Sequence, residues 1–450
     1  MKVSIISLGC ARNLVDTELV TGRLKVMGFD IADEVEGSDV VLINTCAFIE
    51  ESKKESIETI LKAVKLKDEG GVKNIIVCGC LGQRYGRQVS SDIAEVDAIL
   101  GVDSFKTVAR AIKAIGKGRR YLEINSPDLR YPNNIPRVLI TPVHYAYIKI
   151  AEGCHNHCSY CAICNIRGSI RSRPMGSILS EIGCLASRKT IGEFNIIAQD
   201  STSYGIDRYK RPALVKLLKK ICGLNKAHWI RLLYAHPGRF SDDLIDTIAT
   251  QPNICKYIDL PIQHISDKIL SAMNRGTSRR QIETLIKKIR RRIPSAAIRT
   301  SVITGFPSET EADFRQLLDF IKDTQFERLG AFVYSREEGT PAFGFKGHIR
   351  ERVKARRFDR VMRLQQAVSE SVNRRFLGRR IEVLVEKKLD NDTYEGRSEY
   401  DAPEVDGAVY VRSKALLAPG QFVQVDITDT LEYDLTGNAV CPKKIKIDTR

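Results

Sequence analysis

Cys154, Cys158 and Cys161 are spaced C-x-x-x-C-x-x-C within Glu-Gly-Cys-His-Asn-His-Cys-Ser-Tyr-Cys, directly after the apolar run from Tyr145 to Ile150. Three thiolates on one short loop can hold three irons of a four-iron, four-sulfur ([4Fe–4S]) cluster and leave the fourth iron without a protein ligand. An open metal position is where chemistry can happen. A second trio, Cys10, Cys46 and Cys80, stands in Leu-Gly-Cys, Asn-Thr-Cys and Cys-Gly-Cys-Leu-Gly, each after a β-rich run. From 10 to 46 and from 46 to 80 the separations are 36 and 34 residues, each about the length of one βα unit. Consecutive parallel strands would deliver all three thiols to one carboxyl edge, where α/β sheets place ligands. The alternative for this trio is three buried thiols at strand ends. Cys78 competes with Cys80; strand alternation puts both on one face, and only the position beyond Gly79 favours Cys80.

The elements that must position these thiols are legible as three segments. Residues 1–125 alternate strands (Lys2 to Ser7, Val40 to Asn44, Asn74 to Val77) with helical patterns such as Ile57, Ile60, Leu61 and Val64, an open parallel α/β domain. Turn-formers follow from Asn125 to Pro136. Over 140–375 six strand runs (Tyr145 to Ile150, Phe194 to Ala198, Trp229 to Tyr234, Tyr257 to Ile262, Ile298 to Thr304, Leu329 to Tyr334) alternate with helices. This predicts a partial (β/α)6 barrel, and the Cys154 loop leaves its first strand at the end where barrels carry active sites. Residues 378–446 turn to short alternating strands, a small antiparallel β-barrel similar to the TRAM type.

Composition bounds the rest. The 450 residues carry 71 Lys and Arg against 55 Asp and Glu, a net charge of +16, which suits an anionic partner, nucleic acid or ribosome, or serves solubility alone. Lys346 to Arg380 holds twelve basic residues against three acids, a solvated basic helix or an RNA-docking face. Residues 378–446 instead hold ten basic and thirteen acidic residues; an RNA-gripping barrel is normally basic, so this one suits a basic protein target. No apolar run reaches membrane length, and the start reads as a strand rather than a signal peptide. A cytoplasmic location follows, where disulfides are rare. Of the twelve cysteines, Cys184, Cys222, Cys255 and Cys441 then read as packing residues.

With Tyr160 before the third cysteine, the loop resembles the radical S-adenosyl-L-methionine (AdoMet) superfamily. The two trios, the barrel and the terminal domain together resemble its methylthiotransferase family over almost the whole chain. The resemblance includes Ile-Ala-Gln-Asp (197–200), Ile-Arg-Leu-Leu-Tyr (230–234), Asp-Leu-Pro-Ile-Gln-His (259–264), Thr-Gly-Phe-Pro-Ser-Glu-Thr (304–310) and Tyr-Ser-Arg-Glu-Glu-Gly-Thr (334–340). Gly-Arg-Ser-Glu-Tyr-Asp-Ala-Pro-Glu-Val-Asp-Gly (396–407) is similar to the branch acting on ribosomal protein S-twelve of the small subunit, with Asp401, Glu404 and Asp406 as expected substrate contacts. The nearby branch modifies an adenosine of tRNA.

The resemblance implies β-methylthiolation of an aspartate side chain. Such a C–H bond has no acidic proton, so cofactor radical chemistry is required. Two [4Fe–4S] clusters are implied: the Cys154, Cys158, Cys161 cluster cleaves AdoMet, and the Cys10, Cys46, Cys80 cluster carries the inserted sulfur. No side chain is implied as acid or base. An electron donor such as flavodoxin or ferredoxin is an expected partner. By resemblance, Tyr160 contacts adenine, Gln199 and Asp200 hold the methionine end, and Gly305 lets backbone approach the cofactor. The bland alternatives are a packing tyrosine, a helix cap at Asp200 and a turn glycine. His236 and His264, at predicted strand ends, are structural or catalytic. One departure is Cys164, where relatives commonly have proline; it, His155 or His157 could close the open iron. Rivals from other classes are a zinc-stabilised nucleic-acid-binding protein using Cys154, Cys158, Cys161 and Cys164, and a two-cluster electron carrier.

Overall fold

The structure, a computed structural model, describes residues 1–127, 136–188 and 190–440. Much of the predicted linker, the end of the predicted terminal domain and Cys441 lie outside the described residues. Strands β1 (Lys2–Ser7), β2 (Asp30–Ala32), β3 (Ser38–Thr45), β4 (Val72–Gly79), β5 (Ala98–Leu100) and β6 (Tyr121–Glu123) form one parallel sheet in the order β2-β1-β3-β4-β5-β6. Val40, Val41, Leu42 and Ile43 of β3 are all fully buried, as a strand covered by helices on both faces requires. The covering helices are α1 (Ala11–Val26), α2 (Glu50–Asp68), α3 (Cys80–Asp92) and α4 (Ser104–Ile115). Strand order reverses between β1 and β3, so the crevice at their carboxyl ends is the ligand position of a doubly wound sheet. The sequence reading lacked β2, β5 and β6, each three residues long.

The second unit opens with β7 (Tyr145–Lys149), the short β8 (Ala151–Glu152), α5 (Ile163–Arg167), β9 (Arg171–Ser172) and α6 (Met175–Ala186). It continues through β10 (Glu193–Ile197), α7 (Ile206–Tyr209), α8 (Leu214–Cys222), β11 (Trp229–Leu232), α9 (Asp242–Thr250), β12 (Tyr257–Asp259), α10 (Asp267–Ala272) and α11 (Arg279–Arg292). It ends with β13 (Ala297–Thr304), α12 (Glu311–Thr324), β14 (Arg328–Val333) and α13 (Glu351–Asn373). The six long strands are parallel in two halves, β7-β10-β11 and β12-β13-β14. The halves meet through the Ile230–Ile254 bridge and the Cys255 N–H to Ile230 carbonyl bond of 3.0 Å. This is an open (β/α)6 barrel. Alternate residues such as Ala146, Ile148, Phe194 and Ile196 pack outward in the helix-covered core, while Tyr145, Tyr147 and Trp229 belong to a second apolar cluster that reaches α1 and α4. On α13, Val361 and Val368 are buried whereas Arg352, Arg356 and Arg363 are exposed.

Five strands, β15 (Arg380–Lys388), β16 (Thr393–Ser398), β17 (Val409–Arg412), β18 (Phe422–Thr430) and β19 (Leu435–Ala439), close a barrel in the order β15-β16-β17-β19-β18. Four of its pairings are antiparallel and β17–β19 is parallel, which corrects the purely antiparallel expectation. Among the described residues no helix is long and apolar enough to cross a membrane.

Candidate active site

Cys10 follows β1 as the N-cap of α1, Cys46 follows β3, and Cys80 opens α3 after β4. Adjacent parallel strands thus bring the trio to one edge at the β1/β3 reversal. Gly9 lets two of these loops touch: a Cβ there would lie 2.7 Å from Cys46 Cβ and 3.1 Å from its sulfur. Gly79, at φ +89, ends β4 with Thr45 O only 2.6 Å from where a Cβ would stand, a conformation open to glycine alone. That turn overrides strand parity. Cys78 is buried in the apolar cluster beside α1 and α4, its thiol pushed up to about 12 by burial, while Cys80 faces the other thiols. Asn13 braces the edge, donating to Thr45 O at 2.8 Å and Leu8 O at 3.1 Å. The Cys80 thiol lies 3.7 Å from Asn13 Oδ1 and 3.6 Å from Arg167 Nη2. Burial pushes Cys80 up to about 11 against the pull of Arg167, and the Cys46 and Cys10 charges add to it. Cys10 moves the other way, to about 7: burial opposes ionisation, but Arg12 and Arg167 outweigh it. Three thiols that feel one another's charge, with two guanidinium groups beside them, fit an anionic thiolate-bound cluster.

The Cys154 loop is pinned at several points. Cys154 N–H donates to Gly168 O at 3.0 Å, Ser159 N–H to Met273 O at 3.0 Å, and Asn156 Nδ2 to Asp200 Oδ2 at 2.9 Å. Cys154, Cys158 and Cys161 all line a cavity of about 390 Å³ at the carboxyl ends of the barrel strands. Burial, then the neighbouring Cys158 charge, pushes Cys161 up to about 12. Cys164 does not line the cavity; its thiol turns back onto Cys154, 3.1 Å from that residue's carbonyl oxygen. His155 and His157 also stand outside the lining, so three thiols and no fourth loop donor face the space. Among the described residues no three His, Cys, Asp or Glu side chains form a single-ion site, which removes the support for the zinc reading. A cluster instead spreads its thiolates over several irons.

Tyr160 and Gln199 line the same cavity. Gln199 donates to Glu152. Asp200 also borders it, but its carboxylate accepts from Thr202 N at 3.0 Å, Ser203 Oγ at 2.7 Å, Asn156 and Arg239. Burial opposes its charge, yet Arg239 and the hydroxyls hold it well below the usual range. Asp200 therefore caps the turn Ser201–Ser203 and anchors the cysteine loop at the cavity wall. Gly305 faces Lys354 of α13 and is not among the lining residues, so its expected approach to the cofactor is not what the structure shows. His236 accepts from Gly238 N–H at 3.1 Å and lines the cavity, with burial and then Arg275 driving it down to about 3. His264 is fully buried and accepts from Ser266 N–H at 3.0 Å.

Sequence reasoning missed the charges that join the two trios. Arg167, at the end of α5, reaches Asp16 of α1 at 2.8 Å and Glu152 at 3.0 Å, as well as Cys80. Lys149, the last residue of β7, pairs with the same Asp16 and, at 2.7 Å, with Glu152. Arg12 donates to Ala198 O at 3.1 Å, and Arg275 lies 3.5 Å from the Cys158 sulfur. Apart from Lys149 and Glu152, three residues apart, these partners are remote in sequence, so no spacing announces them.

Asp401 and Asp406 do not line this cavity, although Asp406 pairs with Arg299, which does. They sit with Glu404 under the amino ends of the barrel strands. Asp401 accepts from Arg328 at 2.9 and 2.5 Å and from Ser398 Oγ at 2.6 Å. Asp406 accepts from Tyr257 OH at 2.6 Å and Ala402 N at 2.9 Å, with Arg299 3.3 Å away. Glu404 accepts from Tyr145 OH at 2.7 Å. These paired carboxylates, with the Asp401 and Asp406 side chains buried and Glu404 on an exposed turn, fasten the terminal domain to the barrel. Cys184 is likewise exposed rather than packed, whereas Cys222 and Cys255 are buried.

Three families match successive parts of the chain: an uncharacterized protein family, UPF0004, over residues 2–101, the radical SAM superfamily over 148–321 and the TRAM domain over 377–440. The radical SAM superfamily entails a [4Fe–4S] cluster and S-adenosylmethionine. The chain is similar in fold to the radical S-adenosylmethionine methyltransferase TsrM of Kitasatospora setae, solved with cobalamin and a [4Fe–4S] cluster, at 15% identity and a TM-score of 0.54 over 76% of each chain. It is 43% identical over 98% of its length to the ribosomal protein uS12 methylthiotransferase RimO of Clostridioides difficile, covering 99% of that protein. The protein of the same name from Caldanaerobacter subterraneus is 47% identical over 97% of this chain and 99% of its own. Two thiol trios, one on the UPF0004 segment and one on the radical SAM segment, agree with that likeness: the chain belongs to the RimO family of ribosomal protein uS12 methylthiotransferases.

Proposed function

We propose that this chain replaces a β-hydrogen of an aspartate side chain in ribosomal protein uS12 with a methylthio group, using two [4Fe–4S] clusters. Cys154, Cys158 and Cys161 would hold one, and Cys10, Cys46 and Cys80 the other. The observation that carries the reading is the junction of the two trios: Arg12 lies in the cavity wall with the first and beside Cys10 of the second. When bound, the clusters and AdoMet supply the one-electron chemistry that breaks an unactivated C–H bond, and the sulfur that replaces the hydrogen. The protein's residues do the positioning. Asn156 and Ser159 fix the loop, so the three thiols keep their aim. Tyr160 and Gln199 would flank AdoMet from the same wall. Phe48 and Phe332, 37% and 48% exposed, form an apolar rim that narrows the mouth, and excluding water protects a reactive intermediate. An external one-electron donor of flavodoxin or ferredoxin type completes the reading, and a ribosomal substrate places the enzyme in the cytoplasm.

The test is anaerobic: protein reconstituted with iron and sulfide is mixed with AdoMet, reductant and uS12, and the intact mass of uS12 is read. A gain of one methylthio group in place of hydrogen, lost in either triple-alanine variant of the two trios, is the expected result. An unchanged uS12 mass with methylthiolated adenosine in tRNA would move the chain to the tRNA-directed reaction.

A further inference from the structure

Three arginines line the cavity: Arg12, Arg275 and Arg299. Arg299 is neutralised by Asp259 at 3.2 Å and Asp406 at 3.3 Å. Arg275 is committed to the loop side, with one amino group on Pro261 O at 2.6 Å and the other 3.5 Å from Cys158 sulfur. Arg12 shares with Arg275 the lack of a carboxylate partner among the described residues but stands on the Cys10 side of the cavity. Among the described residues no carboxylate lies within ion-pair distance of it; it donates to Ala198 O at 3.1 Å and stacks on the Tyr234 ring at 4.4 Å. The platform is built for this purpose. Tyr234 adopts φ 61, strained for a tyrosine, and its N–H is held by Asp259 Oδ2 at 2.8 Å. The guanidinium also touches the Cys10 thiol, and its field reaches Cys161 of the other trio.

Resting on the function proposed above, we infer that Arg12 is the residue that receives the carboxylate of the side chain being modified. The reasoning is geometric. The reacting carbon must be reachable from both trios, so it lies at their junction. In an aspartate the carboxylate is one bond from that carbon, and it enters the same half-enclosed space. A carboxylate desolvated without a cation is strongly disfavoured, and Arg12 is the cation at the junction that carries no carboxylate already. A planar guanidinium held on an aromatic face is preorganised for a bidentate carboxylate. The same group offers nothing comparable to a neutral adenine.

The experiment measures binding of uS12 without turnover, by fluorescence anisotropy of labelled uS12. Reconstituted enzyme is used with AdoMet and no reductant. The ligands are uS12 and its variant carrying Asn at the aspartate that gains the methylthio group. The parent is expected to prefer the Asp form by roughly ten- to a hundred-fold, the range of one charged hydrogen-bonded contact. Arg12→Gln should bind both forms alike, at the affinity the parent shows for the Asn form. Arg12→Lys, keeping the charge, should restore part of the preference, and both variants should hold the parent's iron. An Asp preference retained in Arg12→Gln overturns the assignment while leaving the uS12 reaction intact, as does a parent with no preference. Loss of iron in Arg12→Gln overturns it too, because the guanidinium then serves the Cys10 trio instead. A parent that binds neither form overturns this assignment and the uS12 reading together.

Discussion

Asp401 decides between two accounts of the terminal domain. As a surface contact for a basic partner, its loss would weaken binding and leave stability alone. In the structure its side chain and that of Arg328 are 2% and 5% exposed, and the carboxylate accepts two bonds from that guanidinium and one from Ser398. Asp401→Asn keeps the shape and removes the charge, leaving Arg328 buried without its counter-ion, at a cost of about 3–5 kcal/mol. At a urea slope of about 1–3 kcal/mol/M this lowers the unfolding midpoint by roughly 1–5 M. The assay is built into the chain: its one tryptophan, Trp229, packs at 4.9 Å between ring centroids against Phe422 of the terminal barrel. Trp229 fluorescence therefore reports this interface. Replacing both partners, Arg328→Met with Asp401→Leu, should recover most of the loss, since a paired apolar substitution avoids the stranded charge. An unchanged Trp229 midpoint in Asp401→Asn, together with weakened uS12 binding, would refute the argument.

Further expectations concern the trios and acid stability. Gly79→Ala places a Cβ against Asn44 and Thr45 at positive φ, costing about 1–3 kcal/mol and turning Cys80 away; iron counts on the variant should fall to the share held by the Cys154 loop. Cys164→Ala should leave the iron content at the parent value, because its thiol points behind the loop, while Cys161→Ala should lose the loop's share. Glu193, buried between Arg397 and Arg231, is held low by those guanidiniums in spite of burial. Its stabilisation is present above the ordinary glutamate value of about 4.3 and is lost as pH falls through its lower folded value. Trp229 unfolding midpoints should therefore drop steeply in acid for the parent, and Glu193→Gln, less stable at neutral pH, should lose that slope.

The convergence of Cys10, Cys46 and Cys80 on one sheet edge, and of Cys154, Cys158 and Cys161 on one cavity, was legible because parallel sheets impose a βα repeat and because a three-thiol loop has a fixed spacing. The barrel strands were legible through their apolar runs. What stayed hidden depends on contacts that are remote in sequence. Parity placed Cys78 with Cys80, and only the positive φ of Gly79 separates them. β2, β5 and β6 are too short to show a period. The parallel pairing of β17 with β19 joins residues such as Val409 and Leu435, which no hairpin signal links. Asp200 reads in sequence as a residue at a strand end, and its four partners come from three separate segments.

The acidic balance of the terminal domain shows how composition misleads when partners are internal. Its excess of acids over bases suggested a basic protein target. Glu386 pairs with His144 and Arg397, Asp401 with Arg328, and Asp406 with Arg299, while Glu399 accepts from Lys256 N–H at 3.0 Å. The basic target of these groups is largely this chain's own barrel. The charges of Asp401 and Asp406 answer Arg328 of β14 and Arg299 of β13, since an unpaired buried cation would be costly, while Arg231 of β11 is answered by Glu193 of β10. Charge at the opposite end, where the two trios lie, follows the reverse logic: among the described residues Arg12 has no carboxylate of its own, so that end retains positive field for what enters. Arg12→Gln and Asp401→Asn are therefore expected to fail in different assays, the first in discrimination between Asp and Asn forms of uS12, the second in Trp229 unfolding. A variant of either residue that failed in the other's assay alone would show that this division between floor and mouth is wrong.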